Sequence, residues 1–137
     1  MKEINYYELE KYALEESIGE PRLFAGRKKV LENYIKWGMN IEKRLSKSSA
    51  LIGLRKYGKT AVLQRLYNIF YALNGKVIPF YFEIKESKKW VVEFSKEFFS
   101  SFCSQYLGFK LREKAVSYTH LRAHETSLHL VCRLLLE

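Results

Sequence analysis

A chain of 137 residues, 47% hydrophobic and 28% charged, has the size and balance of a soluble globular protein with one modest core. Its two cysteines, Cys103 and Cys132, match no zinc-ligand spacing and build no disulfide framework, which fits a reducing, cytoplasmic setting. The N-terminus lacks the apolar run of a signal peptide, and no uncharged apolar stretch of about 20 residues is present to span a bilayer. The net charge is +9. The basic residues are spread along the chain in short groups such as Lys43 and Arg44, Arg55 and Lys56, or Lys88 and Lys89. That dispersion favours a solvated surface over a nucleic-acid footprint, which usually clusters.

Taken in chain order, residues 6–17 predict a short helix ending near Gly19, followed by a turn-rich connector through Pro21 and Gly26. Apolar residues Val30, Leu31, Tyr34, Ile35, Ile41 and Leu45 predict a helix over 27–45, with Gly38 as an interruption. Ala50, Leu51 and Ile52 form a short apolar run with the pattern of a buried parallel strand. Residues 59–73 predict an amphipathic helix on Val62, Leu63, Leu66, Ile69, Phe70 and Leu73, stopped by Asn74 and Gly75. Residues 77–84 read as a second buried strand in which Pro79 marks an edge or bulge. A third helix is predicted over 88–107, with Val91, Phe94, Phe98, Phe102 and Tyr106 on one side and Gly108 at its end.

Between the first strand and the second helix lies the motif G-x-x-x-x-G-K-[ST], carried by Gly53, Gly58, Lys59 and Thr60 within Gly53-Leu54-Arg55-Lys56-Tyr57-Gly58-Lys59-Thr60-Ala61. Glycines let such a loop turn successive N–H groups toward phosphate oxygens, and the following helix aims its positive end at the same anion. Lys59 is expected to reach the β- and γ-phosphates, and the Thr60 hydroxyl to ligate Mg²⁺. Helices alternating with strands then predict an α/β fold. The expected architecture is an incomplete P-loop NTPase, a βαβ parallel sheet with flanking helices that stops before the Walker B strand.

Phe24-Ala25-Gly26-Arg27-Lys28-Lys29-Val30-Leu31 resembles the F-x-G-R-x-x-E-L segment of AAA-related and STAND-type ATPases, the archaeal-type ATPase group. In that family it precedes a phosphate loop of the form G-x-R-R-x-G-K-[ST], which residues 53–60 resemble closely. The resemblance covers about residues 20–109, with Val30 standing where the family carries an acid. It implies ATP and Mg²⁺ as ligands, ATP hydrolysis in the whole family member with a protein partner there, and an adenine base beside Phe24, Gly26 and Arg27.

All 15 acidic residues are glutamates, so the chain has no aspartate to act at a Walker B position. The apolar-then-acid run Leu134-Leu135-Leu136-Glu137 offers a single carboxylate and is not expected to substitute. Residues from about 115 onward resemble a translated sequencing-adapter tail. Three parts are therefore expected: an N-terminal helical segment over 1–19, the N-terminal part of an ATPase domain over 20–114, and a non-native tail over 115–137. The expectation for the chain itself is ATP binding without turnover.

All three histidines, His120, His124 and His129, fall in that tail, and with Glu125 they miss the H-E-x-x-H spacing, so no zinc site is expected. Cys103, Trp37 and Trp90 read as packing residues, and Glu83 and Glu86 as a solvated strand end. A basic nucleic-acid-binding module is the alternative function. A kinase-like phosphotransferase lacks any acceptor site or lid in the sequence.

Overall fold

The computed structural model describes residue 9 and residues 12–19, 23–84 and 90–112. Three helices run through them: α1 (Lys28–Met39), α2 (Lys59–Leu73) and α3 (Trp90–Leu111). The chain packs as two compact units, residues 1–81 and residues 82–137.

In the first unit, α1 buries Leu31, Ile35 and Gly38 at intervals of four and three, one stripe of the helix. Arg27, in the left-handed conformation at φ 55°, begins it, and its carbonyl accepts the first helical bond from Leu31 N–H. The stripe meets α2, and Phe24, Leu31, Ile35, Val62, Leu66 and Ile69 close into one core. Fully burying a side chain of this kind contributes roughly 1.5–3 kcal/mol. The helix α2 is covered on more than one side, since Tyr67 and Tyr71 are buried as well as Gln64, Arg65 and Asn68. Asn74 ends it in the left-handed conformation, φ 49°, donating its N–H to Tyr71 O, as the Asn-Gly pair predicts.

In the second unit, Phe82 meets Phe94 and Phe98 edge-on at 5.6 and 5.3 Å, and Phe94 and Phe98 stack one turn apart. Cys103 and Phe109 are buried, so Cys103 packs as the sequence suggests. The predicted apolar side is only partly covered, with Val91, Phe98 and Phe102 exposed. Gly108 does not end the helix; α3 continues to Leu111 and stops at Arg112, φ 60°.

The expected parallel sheet is not there. Among the described residues there is no strand, and the α/β assignment, with its βαβ P-loop NTPase architecture, is corrected to a helical one. A strand exists only where a neighbouring backbone completes its hydrogen bonds, and among the described residues neither apolar run forms one. Residues 50–52 are irregular, with Ile52 91% exposed rather than buried. Residues 77–84 are also irregular, and Pro79 has no N–H to give a ladder.

Two helix expectations change as well. Residues 12–19 form bends and turns, not the C-terminal half of a helix, and α1 closes at Met39, one residue beyond Gly38, into turns over 40–44. Most of residues 6–11, Glu86, Cys132, His120, His124, His129, Glu125 and the tail over 115–137 lie outside the described residues, as does the Trp90 side chain.

Candidate functional site: the loop at the head of the second helix

The loop over 53–58 turns directly into α2. Lys56 takes φ 61° and Gly58 φ 69°, the left-handed conformation that glycine adopts without steric cost. Gly58 is the N-cap, and its carbonyl accepts the helix's first bond from Val62 N–H at 3.1 Å. The amides of Lys59, Thr60 and Ala61 precede that bond, so they point out of the helix end with the positive pole of its dipole.

Lys59 folds back over the loop. Its Nζ donates to Gly53 O at 2.7 Å and to Leu54 O at 2.6 Å. The Lys59 stem packs along Gly53, whose added Cβ would stand 3.8 Å from Lys59 Cδ. One ammonium thus closes the loop from its first residue to its helical end. Leu54, Arg55, Lys56 and Tyr57 are exposed around it, as is the Thr60 side chain, while Ala61 is half-buried against the core. Arg55, Lys56 and Lys59 give the loop three cationic side chains, with no acid between Gly53 and Ala61.

The approach to the loop is fixed by α1. Trp37 Nε1 donates to Lys47 O at 2.7 Å, Tyr34 Oη to Ala50 O at 3.3 Å, and Ser46 Oγ to Trp37 O. Tyr34 and Trp37 lie edge to face at 6.2 Å. Trp37 is therefore a packing residue, as expected, and its indole N–H also pins the segment that leads to Gly53.

The residues that the family resemblance sets beside adenine part company. Phe24 is 5% exposed and sits inside the core with Val62, so its ring is a packing group. Gly26 (φ 74°) and Arg27 are exposed at the turn into α1. Phe24 does tie this segment to α2, since the Arg65 guanidinium lies over its ring at 4.9 Å. Glu83 is exposed, as a solvated position should be.

For Mg²⁺ the chain supplies little. Among the described residues there is no group of three or more His, Cys, Asp or Glu able to hold a metal. The exposed Thr60 hydroxyl fits the single protein ligand of an ion otherwise held by phosphate and water.

A second polar cluster was not foreseen. Arg65, fully buried, faces Glu16, also buried, with Nη2 at 2.9 Å from Oε2 in an ion pair outside hydrogen-bond geometry. Asn68 and Gln64 join it from one face of α2. Its only signal in the sequence is the polar trio at 64, 65 and 68 interrupting an otherwise apolar helix. Nearby on α2, burial and then the neighbouring Tyr71 push the Tyr67 phenol up to about 12.

Comparison of the chain with protein-family profiles, with curated proteins and with solved structures found no match. Among the described residues no helix is long and apolar enough to cross a membrane.

Proposed function

We propose that residues 53–61 bind the phosphates of ATP with Mg²⁺, and that the chain is the N-terminal portion of an AAA-related or STAND-type ATPase, as its resemblance to that group implies. The observation that carries the reading is the position of Lys59. It opens a 15-residue helix behind a left-handed glycine and turns its ammonium back over the Gly53 and Leu54 carbonyls. Helix-end amides and a lysine ammonium are the groups that phosphate binding uses, and this loop carries both. On binding, Lys59 exchanges its two carbonyl contacts for phosphate oxygens, and Thr60 offers its hydroxyl to Mg²⁺.

Binding is assigned to the loop and the helix that follows it. It is binding without turnover in this chain. With no aspartate, nothing at a Walker B position helps hold the ion or orient a water, and such groups are worth several orders of magnitude in phosphoryl transfer.

Exposed Arg55 and Lys56 support a second reading, in which the loop contacts a nucleic-acid backbone. Titration with fluorescent ATP and Mg²⁺ separates the two. A phosphate site fails when Lys59 alone is changed, whereas a diffuse basic surface loses about one unit of salt slope per cation removed.

A further inference from the structure

The face of α2 that carries Gln64, Arg65 and Asn68 bonds to one short stretch of chain about fifty residues earlier, and Arg65 also lies over the Phe24 ring at 4.9 Å. Asn68 Oδ1 accepts from the amides of Ala13 at 3.0 Å and Leu14 at 2.9 Å. Asn68 Nδ2 donates to Leu14 O at 2.9 Å and to Glu16 Oε1 at 2.9 Å. Gln64 Oε1 accepts from Ser17 N–H at 2.7 Å. Arg65 pairs with the Glu16 carboxylate, donates from Nη1 to Tyr12 Oη at 3.3 Å, and lies over the Tyr12 ring at 5.6 Å.

Residues 12–17 belong to neither a helix nor a sheet. Three backbone amides and a carbonyl in them are bonded by side chains of a distant helix, as a bound peptide's would be. Two carboxamides one turn apart read main chain, indifferent to the side chains at 13 and 14. Arg65 adds selectivity, since burying a guanidinium requires a carboxylate opposite it.

The core cluster of Phe24, Leu31, Ile35, Val62, Leu66 and Ile69 takes no residue from this stretch, although Ala13 is buried and Leu9 and Ile18 pack against the cluster from either side of the stretch in sequence. Release of residues 12–17 would therefore expose a face of polar groups that water satisfies, and would leave the apolar core shut.

We propose that Gln64, Arg65 and Asn68 form a peptide-binding site on α2, filled in cis by residues 12–17, for a non-helical segment bearing a glutamate. The site reads amides at two successive positions and at the fourth residue after the first, with the carboxylate at the third. The segment docks and leaves as a unit while α1 and α2 stay packed.

Hydrogen exchange on the full wild-type chain is the first test. The amides of Ala13, Leu14 and Ser17 are expected to exchange at least tenfold faster than those of Val62 to Ile69, and faster still in Asn68→Ala with the α2 amides unchanged. Exchange of both groups at one common rate would make the segment part of the core and overturn the proposal. The second test uses a labelled peptide of residues 9–19 and the full-length Ala13→Pro/Glu16→Ala variant, whose own segment has lost an amide donor and its carboxylate. The peptide should bind this variant at least tenfold more tightly than the wild type. Binding should be lost on adding Asn68→Ala, and should weaken at least tenfold for a peptide carrying Glu16→Ala. Absence of binding to a variant whose circular dichroism remains helical would equally overturn it.

Discussion

The ring of Phe70 lies so close over the backbone of Gly38 that a Cβ added there would stand 2.2 Å from Phe70 Cζ and 2.8 Å from Cε2. Glycine at this point of α1 thus leaves room for a ring from α2. Replacing it by alanine should gain up to about 1 kcal/mol in helix propensity. It should lose more than that, in the range of about 1–3 kcal/mol, to overpacking. Thermal melts of Gly38→Ala should show net destabilisation, and Phe70→Leu in the same chain should recover most of it. A Gly38→Ala chain as stable as the wild type would mean that the helices separate freely.

The Glu16–Arg65 pair is fully buried, so removing one charge leaves the other without its counter-ion. Glu16→Gln or Arg65→Met alone should cost about 3–5 kcal/mol, and the double replacement less than the sum of the two. Denaturant melts of the four chains measure that coupling directly. Additive losses would indicate that the two groups sit near each other without stabilising one another.

Tyr67 supplies a pH dependence. Its phenol is buried with no hydrogen-bond partner, and its pKa rises to about 12 from an ordinary 10.0. Between those values the unfolded chain ionises and the folded one does not, so the unfolded state holds fewer protons. Stability is therefore untouched by this group below about pH 10. It falls as pH rises toward 12, at a limiting slope of about 1.4 kcal/mol per unit. Tyr67→Phe removes both the titration and an unpartnered hydroxyl. It should melt about 1 kcal/mol more stable at neutral pH and lose less stability between pH 10 and 12 than the wild type. A parallel pH dependence of the two chains would show that Tyr67 ionises freely when folded.

Local features of this fold were legible and distant ones were not. The second helix could be read to the residue, because its start lies in a glycine-lysine motif and its stop in Asn74-Gly75. The strands could not, because Ala50-Leu51-Ile52 and residues 77–84 carry strand-like composition, and composition does not decide whether a ladder forms. By sequence Gly38 interrupts the first helix and Gly108 ends the third. Gly108 is buried within α3, and Gly38 is explained by a ring that arrives from another helix. The Glu16–Arg65 cluster escaped for a similar reason. Residues 12–17 were read as helical from their own composition, whereas their backbone partners are side chains about fifty positions away. Of the candidate site, Lys59 and Thr60 open α2 behind Gly58, while Phe24 belongs to the core.

Catalysis is expected to be absent from this chain. Phosphate release with ATP and Mg²⁺ should not exceed that of Lys59→Ala, because the chain has no aspartate to help hold an ion and orient the attacking water. Release clearly above that blank would require a catalytic acid among the glutamates.

The central claim is that the loop closed by Lys59 is a phosphate site, and equilibrium titration of the full chain with fluorescent ATP and Mg²⁺ tests it most directly. Saturable binding is expected, which Lys59→Ala abolishes, Thr60→Ala weakens only when Mg²⁺ is present, and Lys28→Ala leaves unchanged. Equal losses from Lys59→Ala and Lys28→Ala, or no saturable binding to the folded wild-type chain, would contradict it.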